Sequence, residues 1–187
     1  MNIKTSQNCP LQIGELQVNT GQGFLGLTLC PGKKELARNW DRDLDIDLQA
    51  IKKWGATTVV TLIEDHEFSM LHVETLGHAV GALGMEWIHL PIVDVSIPDR
   101  RFETGWVTEG PMLQARLDAG ERILIHCRGG IGRAGLVAGR MLVERGIQPH
   151  IAIERVRHVR PNAIETPQQE KYVTQGISRW HTANAGS

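Results

Sequence analysis

Residues 122–145 constrain the fold more than any other stretch. RILIHC (122–127) reads as a short apolar strand, RGGIG (128–132) as a glycine-rich turn, and RAGLVAGRMLVER (133–145) as a helix. The helix is apolar nearly all the way round, because Leu136, Val137, Ala138, Met141, Leu142 and Val143 cannot share one face. Such a helix is buried on every side, not laid on a surface. A strand without polar alternation is likewise covered on both faces. A central sheet with flanking helices supplies both environments.

The rest of the chain repeats the alternation. ATTVVTLI (56–63) and MEWIHLPI (85–92) read as further strands. Helices are predicted over 43–54, 68–83, 102–119, 149–159 and 167–180, with Gly55, Gly84, Gly120 and Gly146 as stop signals and Pro161 as a break. Asp41, Asp43, Asp45 and Asp47 crowd the start of the first helix and Lys52 and Lys53 its end, as the helix dipole prefers. Residues 1–30 read as irregular chain and short strands, and VDVSIPD (93–99) as a loop. The pattern predicts an α/β fold with a central, mostly parallel sheet flanked by helices. At 187 residues it predicts a single domain, its core over about 23–180.

Composition narrows the function classes. Lys plus Arg total 20 against 21 Asp plus Glu, so no basic nucleic-acid surface is implied. No apolar run reaches about 18 residues, which argues against a membrane span, and MNIKTSQNCPLQIG lacks the apolar core of a secretory signal. The three cysteines, Cys9, Cys30 and Cys127, make no CxxC pair, which predicts a reducing, cytoplasmic setting. Histidines 66, 72, 78, 89, 150, 158 and 181 show no metal-ligand spacing, so no metal or cofactor is expected.

The chemistry lies in His126-Cys127-Arg128-Gly129-Gly130-Ile131-Gly132-Arg133-Ala134. A buried strand delivers a cysteine to its C-terminal end, where open α/β sheets place their ligands. A glycine loop can turn its backbone N–H groups inward as an anion nest, and the following helix adds a positive end. Arg133 offers paired donors to phosphate oxygens. Surroundings of this kind favour a thiolate facing a bound phosphate. Taken singly, a buried cysteine is usually inert and a glycine turn only a turn; the combination is what points to phosphoryl chemistry.

The HCxxGxxR pattern resembles the signature of the cysteine-dependent protein-tyrosine and dual-specificity phosphatases. HCRGGIGRAG, FLGLTLCPGKK, HLPIVDVSIPD and AIETPQQEKYV are similar to the kinase-associated, cyclin-dependent-kinase-inhibitor-3-like branch, over roughly 23–175. The resemblance implies a phosphorylated protein substrate and a phosphocysteine on Cys127. Arg133 would clamp the phosphate, and the N–H groups of Arg128, Gly129, Gly130, Ile131, Gly132 and Arg133 would cradle it. His126 would support the loop. Asp94 holds the position of the general acid, with Asp99 the alternative or else a helix cap. Ala134 replaces the Ser or Thr whose hydroxyl helps release the sulfur, which predicts a slow second step. Gln169 matches a glutamine that places the hydrolytic water; Thr166 and Pro167 also read as a helix start. Cys30 is a candidate resolving thiol. Arg155, Arg157, His158 and Arg160 read as a solvated face. Two other functions stay open: a phosphoinositide or small phosphate-ester phosphatase, and a phosphate-binding module with little turnover.

Overall fold

The computed structural model describes residues 3–184, with side chains as far as Gln175; Met1, Asn2 and the side chain of His181 lie outside the described residues. In chain order the elements are β1 (Gly14–Gln17), β2 (Phe24–Leu29), β3 (Lys34–Glu35), β4 (Trp40–Asp41), α1 (Leu44–Trp54), β5 (Ala56–Thr61), α2 (Asp65–Met70), α3 (Leu76–Ala82), β6 (Glu86–His89), α4 (Arg100–Asp118), β7 (Arg122–Cys127), α5 (Gly132–Glu144), α6 (Pro149–Val159) and α7 (Pro167–Asn184). The main sheet runs β1-β2-β7-β5-β6. All its pairs are parallel except β1 with β2. This is the α/β architecture the sequence predicts. No helix among the described residues is long and apolar enough to cross a membrane.

Strand β7 is central because its side chains feed a core on each face. Ile123, Ile125 and Cys127 join the core under α4, α5, α6 and α7, while Leu124 joins the one under α1 and α3. Every residue of α5 from Gly132 to Val143 is buried, as its all-round apolar surface requires. The two neighbours of β7 end level with it: Leu29 is opposite Cys127 and Thr61 opposite His126. All the loops leaving the C-terminal edge therefore converge on one cysteine.

One local expectation is corrected. The helix predicted over 68–83 is two short helices, separated at His72, whose φ is 56°. The break lets Leu71, Val73 and Leu76 all enter the core and leaves Glu67 buried; one straight helix presents a single stripe. The aspartates do gather at the start of α1, as expected, and they divide their work. Asp43 is the N-cap, accepting from Ile46 N at 2.9 Å. Asp47 is fully buried, paired with Arg42 at 2.7 Å and accepting from Gly32 N.

Candidate active site

The site forms where β7 stops. Cys127 is buried at the strand end, and its Sγ accepts from Gly130 N at 3.2 Å, so the loop does turn an N–H inward. Gly130 has φ 68°, and a Cβ there would strike the Thr28 backbone, so the loop needs glycine at this point. Its carbonyls are held outward. Arg160 Nε and Nη2 donate to Gly130 O at 2.9 Å and Gly129 O at 3.1 Å. Lys33 Nζ donates to Arg128 O at 3.1 Å. With their carbonyls tied from outside, Arg128 to Gly130 are left with N–H groups for an anion.

Arg133 opens α5 and is 1% exposed. Its Nη1 and Nη2 donate to the two Glu67 carboxylate oxygens at 2.5 and 2.9 Å, and Nη1 also to Ile92 O at 3.0 Å. The fork expected to hold phosphate is thus taken by Glu67. Its buried Nε has no protein partner and Nη2 faces Asp94 Oδ1 at 2.8 Å. The Nε–Nη2 edge is the one that can take two phosphate oxygens. Burial works against the Arg133 charge, but Glu67 and the neighbouring anions outweigh it and hold the guanidinium protonated.

Glu67 was not singled out by sequence, yet it fixes Arg133 in place. Burial raises its pKa; the Arg133 and Glu64 hydrogen bonds outweigh that, and the net shift is downward. A carboxyl with a lowered native pKa stabilises the fold above its ordinary value and loses that contribution as pH falls through the native one. Glu67→Gln strands a buried guanidinium, so a loss of about 3–5 kcal/mol is expected. Urea melts check this: the gap between wild type and variant is full at pH 7 and narrows on acidification below about pH 4.3.

Asp94 lies in the loop after β6 and also faces Arg128 Nη1 at 3.7 Å. Asp99 is elsewhere, capping α4 by accepting from Phe102 N at 3.0 Å. Arg128 is not free, because Nη2 pairs with Glu35. Ile131 and Gly132 lead into α5, and Ala134 is fully buried in the core beneath the loop. The His126 ring is buried, with Nε2 2.8 Å from Thr61 Oγ1, which itself accepts from Trp87 Nε1. Burial pushes its pKa down to about 3, so the ring is neutral.

Several readings change. The predicted solvated face is only partly so: Arg157 and His158 are exposed, Arg155 and Arg160 are half-buried, and the three arginines are engaged by the fold. Each donates to backbone carbonyls: those of Gln17 and Val18, of Ala163 and Ile164, and of the glycine loop. Thr166 does cap α7, accepting from Gln169 N at 3.1 Å. Gln169 is fully buried, and its amide is engaged by protein on both sides. Cys30 packs with the α1 and α3 core and Cys127 with that of α5; burial pushes the Cys30 thiol up, Lys33 opposing the shift and the nearby Cys127 adding to it. Among the described residues no cluster of His, Cys, Asp and Glu is arranged to hold a metal.

Comparisons with known proteins point to one family. Residues 39–173 match the family model of the Swiss Army Knife DSP-PTPase phosphatase domain. Cyclin-dependent kinase inhibitor 3 of Mus musculus is 32% identical over 172 residues, covering 89% of this chain and 79% of its own. Protein tyrosine phosphatase type IVA 3 of Mus musculus is 30% identical over 130 residues, covering 67% of this chain and 69% of its own. A crystal structure of kinase associated phosphatase, with serine substituted for its catalytic-site cysteine, superposes with a TM-score of 0.81 at 30% identity. It covers 91% of this chain and 96% of that one.

Proposed function

This chain belongs to the dual-specificity and protein-tyrosine (DSP-PTPase) phosphatase family and is a cysteine-dependent protein phosphatase; we propose that Cys127, Arg133 and Asp94 carry its reaction, on phosphotyrosine and also on phosphoserine or phosphothreonine. Residues 1–187 act as one phosphatase domain. The observation that best supports the assignment is the 2.8 Å contact between Asp94 and Arg133 beside the loop that holds Cys127. A nucleophile, an anion clamp and a proton source share one site.

In the first step the Cys127 thiolate attacks phosphorus in line. The S–P bond forms, the P–O bond to the substrate breaks, and Asp94 gives its proton to the departing oxygen. Arg133 moves its Nε–Nη2 edge from Asp94 to two phosphoryl oxygens, with Glu67 keeping the other edge fixed. The loop N–H groups meet the charge on the equatorial phosphoryl oxygens. In the second step water attacks phosphorus, Asp94 takes its proton, and the S–P bond breaks to return the thiolate and release phosphate.

Ala134 makes the second step the slow one. No hydroxyl follows Arg133, so the departing sulfur is without that hydrogen bond. A product burst equal to the enzyme concentration is expected before steady state. Ala134→Ser raises the steady-state rate roughly 10-fold, the order of one hydrogen bond to a charged group, and shrinks the burst. Rapid-quench kinetics check this, and no burst together with an unchanged Ala134→Ser rate contradicts it.

Arg128 favours protein over inositol-lipid substrates, since Glu35 and Asp94 already face its guanidinium. A panel of phosphotyrosine, phosphothreonine and phosphoserine peptides beside inositol phospholipids tests the substrate class. Turnover of the peptides supports this reading, and turnover of the lipids alone overturns it.

A further inference from the structure

The loop that carries Asp94 is under backbone strain. Ser96 N bonds Val93 O at 3.1 Å, which closes a tight turn over Val93–Ser96. Inside it Val95 has φ 62°. The left-handed region is unfavourable for a β-branched residue and persists only when surrounding contacts impose it. Val95 is also 54% exposed, so little packing of its own side chain holds it there.

The contacts that hold the turn are few. Asp94 Oδ1 accepts from Val95 N at 3.1 Å and faces Arg133. The latter contact must be given up when Arg133 turns to phosphate. Asp94 then keeps only its longer contact to the phosphate loop, with Arg128 Nη1 at 3.7 Å. A contact that survives substrate binding is made by Gln169. Its Nε2 donates to Ser96 O at 3.1 Å, and its Oε1 accepts from Glu165 N at 3.0 Å. The amide thus joins two segments 73 residues apart at its acid-loop end.

The Glu165 end is itself fixed to the phosphate loop. Ile164 N donates to Ile131 O at 3.3 Å, and Arg157 holds the carbonyls of Ala163 and Ile164. The Gln169 amide passes close over Gly132, where a Cβ would lie 3.0 Å from Nε2. The path from the acid loop to the cysteine loop is therefore continuous: Ser96 carbonyl, Gln169 amide, Glu165 and Ile164 backbone, Ile131.

We propose that Gln169 is the positioning residue of the general acid: its buried amide clasps the strained Val93–Ser96 turn to the phosphate loop and keeps Asp94 over the leaving oxygen when Arg133 is occupied by phosphate. The inference rests on the assignment of Asp94 as the acid. It gives Gln169 a role in the first step, through the substrate's leaving group, instead of the water-placing role in the second.

Leaving-group dependence separates this role from a merely structural one. A poor leaving group needs the acid, and a good one departs nearly unaided. The experiment compares kcat/KM for phenyl phosphate and p-nitrophenyl phosphate in wild type, Gln169→Ala, Gln169→Glu and Asp94→Asn. Gln169→Glu nearly keeps the shape and the acceptor toward Glu165 N, but its carboxylate cannot donate to Ser96 O. Both Gln169 variants are expected to lose about 10- to 100-fold on phenyl phosphate, lose far less on p-nitrophenyl phosphate, and flatten the alkaline limb of the kcat/KM pH profile with phenyl phosphate.

Equal losses on both substrates overturn the proposal, since damage to the loop does not distinguish leaving groups. So does an unchanged ratio. The Asp94→Asn arm separates the two levels: if it shows no leaving-group selectivity, the acid assignment has failed. If it does and the Gln169 variants do not, the clasp alone has failed. Gln169→Glu keeps the test decisive if Gln169→Ala does not fold.

Discussion

Cys127→Ser abolishes hydrolysis of p-nitrophenyl phosphate, with EDTA present in both the wild-type and variant assays. The expected loss is on the order of 10⁴–10⁶-fold, the scale on which loss of a covalent nucleophile is felt. The reason is geometric as well as chemical. The thiol stands at the end of the central strand, against a loop N–H at 3.2 Å, with the Arg160 and Arg133 guanidinium groups close by. A serine hydroxyl there is nearly isosteric, so phosphate binding is retained and only the attack is lost. Isothermal titration with inorganic phosphate checks the first half and the assay the second. Equal activity of the two proteins, or activity lost only because phosphate no longer binds, contradicts the account.

The second large effect is at the acid. Asp94→Asn is expected to reduce kcat/KM for phosphotyrosine peptides by about 10²–10⁴-fold, the usual contribution of a placed general acid. Asparagine keeps the hydrogen bond to Val95 N but has no proton to transfer and returns no base for the second step. Asp99→Ala is the matched control. Asp99 caps α4 through Phe102 N, so that variant loses about 1 kcal/mol of stability and little activity. Thermal melts beside the kinetics separate the two. The reverse pattern, an inert Asp94→Asn and an inactive Asp99→Ala, transfers the acid to Asp99.

What sequence could reveal here depends on how local the signal is. The strand, loop and helix around Cys127 are contiguous, and β7 runs over the residues expected, 122–127. The α6 helix likewise matches its Pro start and the Pro161 break, at Pro149–Val159. Asp94 is proposed from the matched position in HLPIVD, and Asp99 also reads as a cap from its place before a helix. The supports of the site are a different matter. Glu67 meets Arg133 across 66 residues and Arg160 meets Gly130 across 30. No spacing rule links such pairs.

The charged residues of α6 show why. Arg155, Arg157 and Arg160 alternate with Ala152, Val156 and Val159, the pattern of a solvated face. Each guanidinium nevertheless donates to a backbone carbonyl outside the helix, which the helical pattern alone does not reveal. The same holds for Gln169. Its place near a helix start is legible, whereas its bond to Ser96 exists only because β6 and α7 bring their flanking loops together. The split between α2 and α3 was hidden for a related reason. Apolar residues at 71, 73 and 76 fit a helix stripe loosely, and the turn at His72 is imposed by burying all three.

The central claim is that phosphate passes through the sulfur of Cys127. The most direct test is acid quench of wild-type enzyme during turnover of a phosphotyrosine peptide, followed by mass spectrometry of the peptide that spans residues 122–133. The slow second step set by Ala134 keeps the intermediate populated. A phosphoryl group is expected on Cys127 in wild type, less of it in Ala134→Ser and none in Cys127→Ser. Continued release of phosphate with Cys127 never phosphorylated, or a phosphoryl group on another side chain, contradicts it.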